Sequence, residues 1–410
     1  MSEPPRLDDA LAARRAGAAW LSVALMDARN RTLRWLGRFE SASRLHVRPP
    51  AGSPELPTPW RAVGRAAWFQ EYWVARHVQR ARGAAGEACA PRLASVEPLA
   101  DAWFAPTSPD ESVLPPSAEV LRGYLAGTLE TTLELLETAE PTDEGLHVFR
   151  LALRHEDRLS ERLAASAQWL GVVAPSPQEG LGTPPPGRPE REGLWIPGRR
   201  FQAGTPPGSH GLVPLNELGG QEESVPEFEI DAHAVSWARF VPFAEDGGYD
   251  DSRWWSPEGW AWLQATGRRA PRGVEQWRGG VVLERFGRLV RVDASQAAAH
   301  VAFHEAQAWC RWAGRRLPTE VEWELAAASA GSRGFTWGDV REWAAGRARL
   351  WPAAAGLRVA GFRAPDPVRG LRVLRGASSW TPARDRHLRA RGFVEPGCDA
   401  LFCGFRSCSA

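Results

Sequence analysis

One pair of residues in this sequence has the types and the spacing that suit metal chemistry, and a second group has the types without the spacing. In the second half, His300 and His304 lie four apart within Ala298 to Trp312, a stretch whose apolar spacing predicts a helix. On a helix that spacing sets two imidazoles on one face, one turn apart, where they can share an ion. A structural role is the favoured reading of the pair, with a weak zinc site as the alternative. In the first half, His155 stands on another predicted helix, with Glu156 and Glu161 close by. Helix geometry turns both carboxylates away from the face that carries His155. The other histidines of that half are His46, His77 and His147, and His147 lies about 12 Å before His155 along the axis, too far to share an ion with it.

Other chemistries find no support. There is no GxGxxG, P-loop, GxSxG or HExxH phrase, so nucleotide binding, serine hydrolysis and zinc proteolysis have no carrier. The five cysteines, Cys89, Cys310, Cys398, Cys403 and Cys408, form no CxxC pair and are expected to be reduced. Fifty basic against forty-nine acidic residues leave a formal charge of +1, which gives no electrostatic footprint for nucleic acid or an anionic membrane. A small-molecule partner is the expectation. The first residues are charged and no run reaches the ~18 apolar residues of a membrane span, so a cytoplasmic location is expected.

These side chains need elements to hold them. Apolar residues recur at helical spacing from Leu7 to Phe39, Pro59 to Arg82, Ser117 to Glu137 and Asp143 to Leu170, which predicts a four-helix bundle over residues 1–173. A Pro/Gly-rich run over 174–190, with three successive prolines from Pro184, breaks all periodicity and reads as a linker. Residues 191–410 are short segments punctuated by Gly, Pro, Asp and Trp, with helices confined to stretches such as Ala298 to Trp312 and Thr319 to Ala330. The expected class is α+β, a bundle followed by an irregular, loop-rich domain. Most of the 21 tryptophans fall in that domain, where large side chains compensate for sparse regular structure.

The second domain carries a set of phrases in one order. They include Phe240-Val241-Pro242-Phe243, Gly247-Gly248-Tyr249, Trp254-Trp255-Ser256, Gly314-Arg315-Arg316-Leu317-Pro318-Thr319-Glu320, Glu342-Trp343, Leu374-Arg375-Gly376 and Gly404-Phe405-Arg406. Together they resemble the formylglycine-generating-enzyme, or sulfatase-modifying-factor, fold, which is C-type-lectin-like. The first domain is similar to the DinB-like bundle of ergothioneine synthases, and Trp68-Phe69-Gln70-Glu71-Tyr72-Trp73 and Phe149-Arg150-Leu151-Ala152-Leu153-Arg154-His155-Glu156-Asp157 resemble the selenoneine synthases more closely still. The resemblance implies a non-haem iron(II) enzyme that uses O2 to form a C–S or C–Se bond on the imidazole of hercynine, with a thiol or selenium donor as second substrate.

Carried over position by position, the resemblance implies three histidine ligands, two of them in an HxxxHxE phrase. This chain has His155, Leu159 and Glu161 there, and Arg65 at the third ligand position. A guanidinium cannot ligate iron. One expectation is that Arg65 instead pairs with Glu161 or Glu156; the other is that it points to solvent. His210 and His233 are further imidazoles that leave a rebuilt site open. On the substrate side the resemblance points to Arg391, Phe393, Arg406 and Trp343, while Gly392, Cys398 and Ala400 replace the family's Asn, Arg and Asp. The phrase Trp337-Gly338-Asp339-Val340-Arg341-Glu342-Trp343-Ala344 keeps the skeleton of WGNVWEWT but changes three residues. Two readings stay open, a synthase of this family with a degraded iron site and a non-catalytic relative of the same architecture.

Overall fold

The computed structural model describes residues 7–50, 56–105, 113–219, 222–354 and 370–410. The first part is helical: α1 (Ala10–Arg15), α2 (Ala18–Ser41), α3 (Pro59–Gln70), α4 (Ala100–Phe104), α5 (Ala118–Glu137) and α6 (Asp143–Trp169). The helices start where side chains satisfy their first free N–H groups. Pro59 opens α3, Ser117 Oγ accepts from Val120 N ahead of α5, and Thr142 Oγ1 accepts from Gly145 N ahead of α6.

Two predicted helices differ from expectation. The stretch from Leu7 to Phe39 is divided between α1 and α2 at Ala16 and Gly17, both extended. The one expected to reach Arg82 runs on from α3 through a single π-helical turn, Glu71–Ala75, and stops. Buried polar groups explain the stop: Glu71 turns inward to accept from Ser95, Val96 N and the Tyr124 hydroxyl.

The second part contains β1 (Leu194–Ile196), β2 (Arg199–Gln202), β3 (Glu222–Val225), β4 (Phe228–Ile230), α7 (Trp237–Glu245), α8 (Pro257–Thr266), β5 (Val274–Gln276), β6 (Val282–Arg285) and β7 (Arg288–Arg291). These are followed by α9 (Phe303–Trp312), β8 (Arg315–Arg316), α10 (Glu320–Ser329), β9 (Arg341–Ala344), β10 (Arg372–Arg375), β11 (Arg391–Val394), β12 (Cys403–Gly404) and β13 (Cys408–Ser409). Two small four-stranded sheets, ordered β1-β4-β13-β8 and β11-β10-β9-β12, hold it together. The α+β class is therefore the expected one, with strands of two to four residues.

Aromatic side chains fill this domain. Trp237, Trp323 and Trp343 are fully buried, and Phe240, Phe243, Trp255, Trp309 and Phe405 surround the first and last of them. The bundle core does not end at the bundle: Phe286, Trp380, Ala400 and Phe402 of the second part pack into it. Trp169 at the end of α6 donates to Ala400 O at 2.7 Å. Helix α6 is thus buried from both sides, which is why almost every one of its residues from Gly145 to Gln168 is inaccessible. Among the described residues no helix is long and apolar enough to cross a membrane.

Candidate functional site

Helix α6 is the spine of the site, and its faces point to different partners. One carboxylate, Glu156, faces into the bundle, where it accepts from Arg29 at 2.9 and 3.1 Å, from Thr32 Oγ1 at 2.7 Å and from Gln70 Nε2 at 2.9 Å. Glu161 faces the second part. It accepts from Arg341 Nε at 2.9 Å and Nη2 at 2.5 Å, from Ser378 Oγ at 2.6 Å and from Thr381 Oγ1 at 2.9 Å. Asp157 holds Arg384 at 2.7 and 2.8 Å, and Arg384 reaches on to Asp27 at 2.7 Å. Arg154 reaches Glu217 at 3.0 Å.

Burial alone would push the Glu161 carboxyl up. The Arg341 charge and the hydrogen bonds from Arg341, Ser378 and Thr381 outweigh that and hold it down to about 2. Arg341 stands where the resembled phrase has a tryptophan, so the one retained acidic residue of HxxxHxE meets a cation supplied by a departure 180 positions away. Nothing local in the sequence signals that pairing; the departure at Arg341 was the available sign.

His155 lies half-buried on the remaining face. Its ring stacks on Phe69 of α3 with centroids 3.8 Å apart and planes 8° from parallel. Its Nδ1 is buried without a hydrogen-bond partner. Burial, and then the guanidiniums of Arg162, Arg65, Arg158 and Arg154, push the imidazole down to about 3, so it is neutral at ordinary pH. Leu159, one turn on, is 4% exposed and belongs to the bundle core. Arg65 makes neither of the pairings open to it in the sequence: its Nε donates to Phe104 O at 3.1 Å, and Glu156 and Glu161 are held by other cations. It is half-buried rather than directed to solvent.

This donor set does not fit iron. An open iron(II) site needs three neutral or anionic ligands on one side of the ion. Here one imidazole is joined by a hydrocarbon and a cation, and Glu161 is saturated by its own partners. Among the described residues no group of three or more His, Cys, Asp or Glu side chains is placed to hold a metal. Nor do the other imidazoles rebuild one. His210 is exposed beside Asp143, and His233 is buried between the carbonyls of Ala234 and Pro189.

The expectation of a helical pair at His300 and His304 is corrected. Helix α9 begins at Phe303, and His300 precedes it with φ +61°, a left-handed conformation that no continuous helix contains. The two rings therefore part company, His300 packing on Trp169 and Phe402 and His304 on Trp262.

The residues singled out on the substrate side are placed as follows. Arg391 is fully buried, with Glu320 at 2.7 and 2.9 Å and the carbonyl of Asn216 at 2.6 Å, and its guanidinium lies 4.0 Å over the Trp351 ring. Arg406 is fully buried between Glu342 and the carbonyls of Asp231 and Thr336. Trp343 is fully buried and donates to Val301 O at 2.8 Å. Phe393 is half-buried on β11. Among the described residues none of the four makes a hydrogen bond or ring contact with His155. None of the five cysteines forms a disulfide among the described residues, and all but Cys89 are buried.

The buried imidazoles have a consequence for stability. Burial, the largest cause in each, pushes His155, His300 and His387 down to about 3 and His147 and His304 down to about 4. The unfolded chain takes up protons on these groups below about pH 6.5, whereas the folded chain does not. Their contribution is thus present above about pH 6.5 and is lost as pH falls towards 4 and 3. Glu305, which burial pushes up to about 7, and Asp157, which burial also raises, act in the opposite sense, but two carboxyls oppose five imidazoles. The midpoint of thermal unfolding, followed by circular dichroism, is expected to fall steadily from about pH 6.5 to 4. A flat profile across that interval would contradict the burial of these rings.

Comparison with known proteins adds the following. The family described as sulfatase-modifying factor enzyme 1-like domain matches residues 182–358. A hercynine oxygenase of Mycolicibacterium thermoresistibile is 33% identical over 359 residues, 84% of this chain and 76% of that protein. One from Mycolicibacterium smegmatis is 34% identical over 264 residues, 62% of this chain and 57% of that protein, so the match spans little more than half of its length. The inactive C-alpha-formylglycine-generating enzyme 2 of Bos taurus is 29% identical over 194 residues, 43% of this chain and 60% of that protein. The solved structure of PvdO from Pseudomonas aeruginosa is similar over 53% of this chain and 93% of its own, at 18% identity and a TM-score of 0.33.

Proposed function

We propose, from the premise that this chain belongs to the hercynine oxygenase family, that it is a member without an iron site, one that does not join sulfur or selenium to hercynine. The observation that carries this reading is the set of side chains at the three ligand positions: His155, a core leucine and an arginine. A cation at one ligand position repels iron(II), and Leu159 is packed too deeply to yield to a water or a second ligand. Glu161 offers no substitute, because a carboxylate held by Arg341, Ser378 and Thr381 would have to give up all three to reach an ion. The existence of a relative named as inactive supports the idea that the second-domain fold persists without catalysis.

The substrate side supports the same reading. Arg391 and Arg406 spend their guanidiniums on Glu320 and Glu342, and Gly392, Cys398 and Ala400 offer no charged or amide group. What remains is a two-domain scaffold whose reactive groups have been replaced and whose turns and core persist.

The competing reading is a working synthase that uses His155, whose neutral imidazole is a competent ligand. Anaerobic iron(II) titration of the purified protein by calorimetry, with zinc as control, separates the two. No one-to-one binding of iron is expected, and no O2 consumption above background when hercynine is supplied with a thiol or a selenium donor. Tight one-to-one iron binding would overturn the proposal.

A further inference from the structure

Resting on that reading, we infer that the replaced ligand positions form an oxyanion-binding site, in which Arg65 and Arg158 beside His155 take the carboxylate or phosphate of a small molecule. Two helix faces create it. Arg65 and Phe69 are four apart on α3 and share a face, and Phe69 lies flat on His155, so Arg65 is presented to α6 beside that ring. On α6, Arg158 and Arg162 follow His155 by three and seven residues, which places them along the same face. Guanidiniums from both helices therefore surround one neutral imidazole.

Their bonding separates Arg65 and Arg158 from the other arginines around α6. Arg29, Arg154, Arg341 and Arg384 each hydrogen-bond a carboxylate at 3.1 Å or less. Arg65 uses only its Nε, on a carbonyl, and its two terminal nitrogens make no hydrogen bond among the described residues. Arg158 makes none either; Asp385 lies 3.9 Å from its Nε and is shared with Arg154 at 3.4 Å. Half-buried guanidiniums ordinarily find acceptors, and a planar fork of N–H donors matches a carboxylate or a phosphate. The buried, partnerless Nδ1 of His155 adds a donor in the tautomer that carries its proton there. Arg162, next along the same face, is exposed. Replacing a histidine ligand by Arg65 thus does more than remove a donor: it reverses the sign of the charge the position attracts.

The test uses the full chain in a low-salt, chloride-free buffer. Phosphate and malonate are each titrated by calorimetry into the unsubstituted protein, Arg65→Gln and Arg158→Gln, and iron(II) is titrated into the same preparations. Saturable one-to-one binding of at least one anion is expected, weakened by about tenfold or more in both variants, as loss of a charge-assisted fork implies. Circular dichroism melts verify that the variants remain folded. Tighter phosphate binding assigns the site to a phosphate ester, and tighter malonate binding to a carboxylate. No saturable binding of either anion, or equal binding in the variants, overturns the inference. If the unsubstituted protein also takes up iron, the iron-free reading falls with it; if it takes up neither ion, only the anion site falls.

Discussion

Replacing Arg341 by methionine is expected to lower folding stability by about 3–5 kcal/mol, because it strands a charged Glu161 in the interior. The ion pair is buried on both sides, with 10% of the Arg341 side chain and 8% of the Glu161 side chain exposed. Ser378 and Thr381 still donate to Glu161, but two hydroxyls do not offset the loss of a bidentate cation. The penalty depends on protonation in a definite direction. Without Arg341, only the two hydroxyls oppose burial and the Glu161 carboxyl rises, so the variant should regain part of its loss as pH falls and Glu161 becomes neutral. Urea denaturation at about pH 7 and pH 5 reads both effects, and Glu161→Gln combined with Arg341→Met should recover most of the stability at pH 7. A loss below about 1 kcal/mol in the single variant would mean that water reaches Glu161 and that the pair does not clamp α6 to β9 as its geometry describes.

Arg65→His together with Leu159→His is expected to confer one-to-one binding of zinc or cobalt, with a dissociation constant on the order of micromolar. His155 and a histidine at 159 would lie one turn apart on α6, and a histidine at 65 would approach from α3, beside the Phe69 that already touches His155. Neither single variant supplies more than two imidazoles, so neither should bind comparably. Leu159→His puts a polar ring into the bundle core and is expected to cost about 2–4 kcal/mol, part of which metal binding returns. Arg158 and Arg162 remain near the site and keep its affinity below that of an unencumbered three-histidine site. Cobalt(II) absorption in the visible region is the direct readout. If the folded double variant shows no cobalt bands, the backbone of α3 and α6 has drifted from ligand geometry, as well as the side chains.

The sequence made the architecture legible to different depths. Helix starts were legible because capping is local: Pro59, Ser117 and Thr142 sit where α3, α5 and α6 begin. Where a helix stops depends on distant partners, and α3 ends early because Glu71 is drawn to Ser95 and Tyr124. The apolar run through Val301 and Ala302 gave no warning that His300 takes a left-handed conformation ahead of α9, and so it produced a metal-like spacing that the backbone does not realise. The three positions at which ligands are implied rest on the resemblance alone. The partners of Glu161, Glu156 and Asp157 were not legible, because each ion pair joins residues more than 100 positions apart and any of fifty arginines satisfies the chemistry on paper.

Leu159 also bears on how this protein can change over generations. It is seated among the bundle's core residues, so the first step back towards a metal ligand at that position lowers stability at once. That step brings no compensating metal, because Arg65 still blocks the third position, and a first step at 65 leaves the leucine in place. Each single reversal is therefore disfavoured or without benefit, and only their joint occurrence is rewarded. On the reading proposed above, close packing at Leu159 acts as a ratchet, which lets the lineage explore new uses for the scaffold while making iron chemistry the least accessible of them.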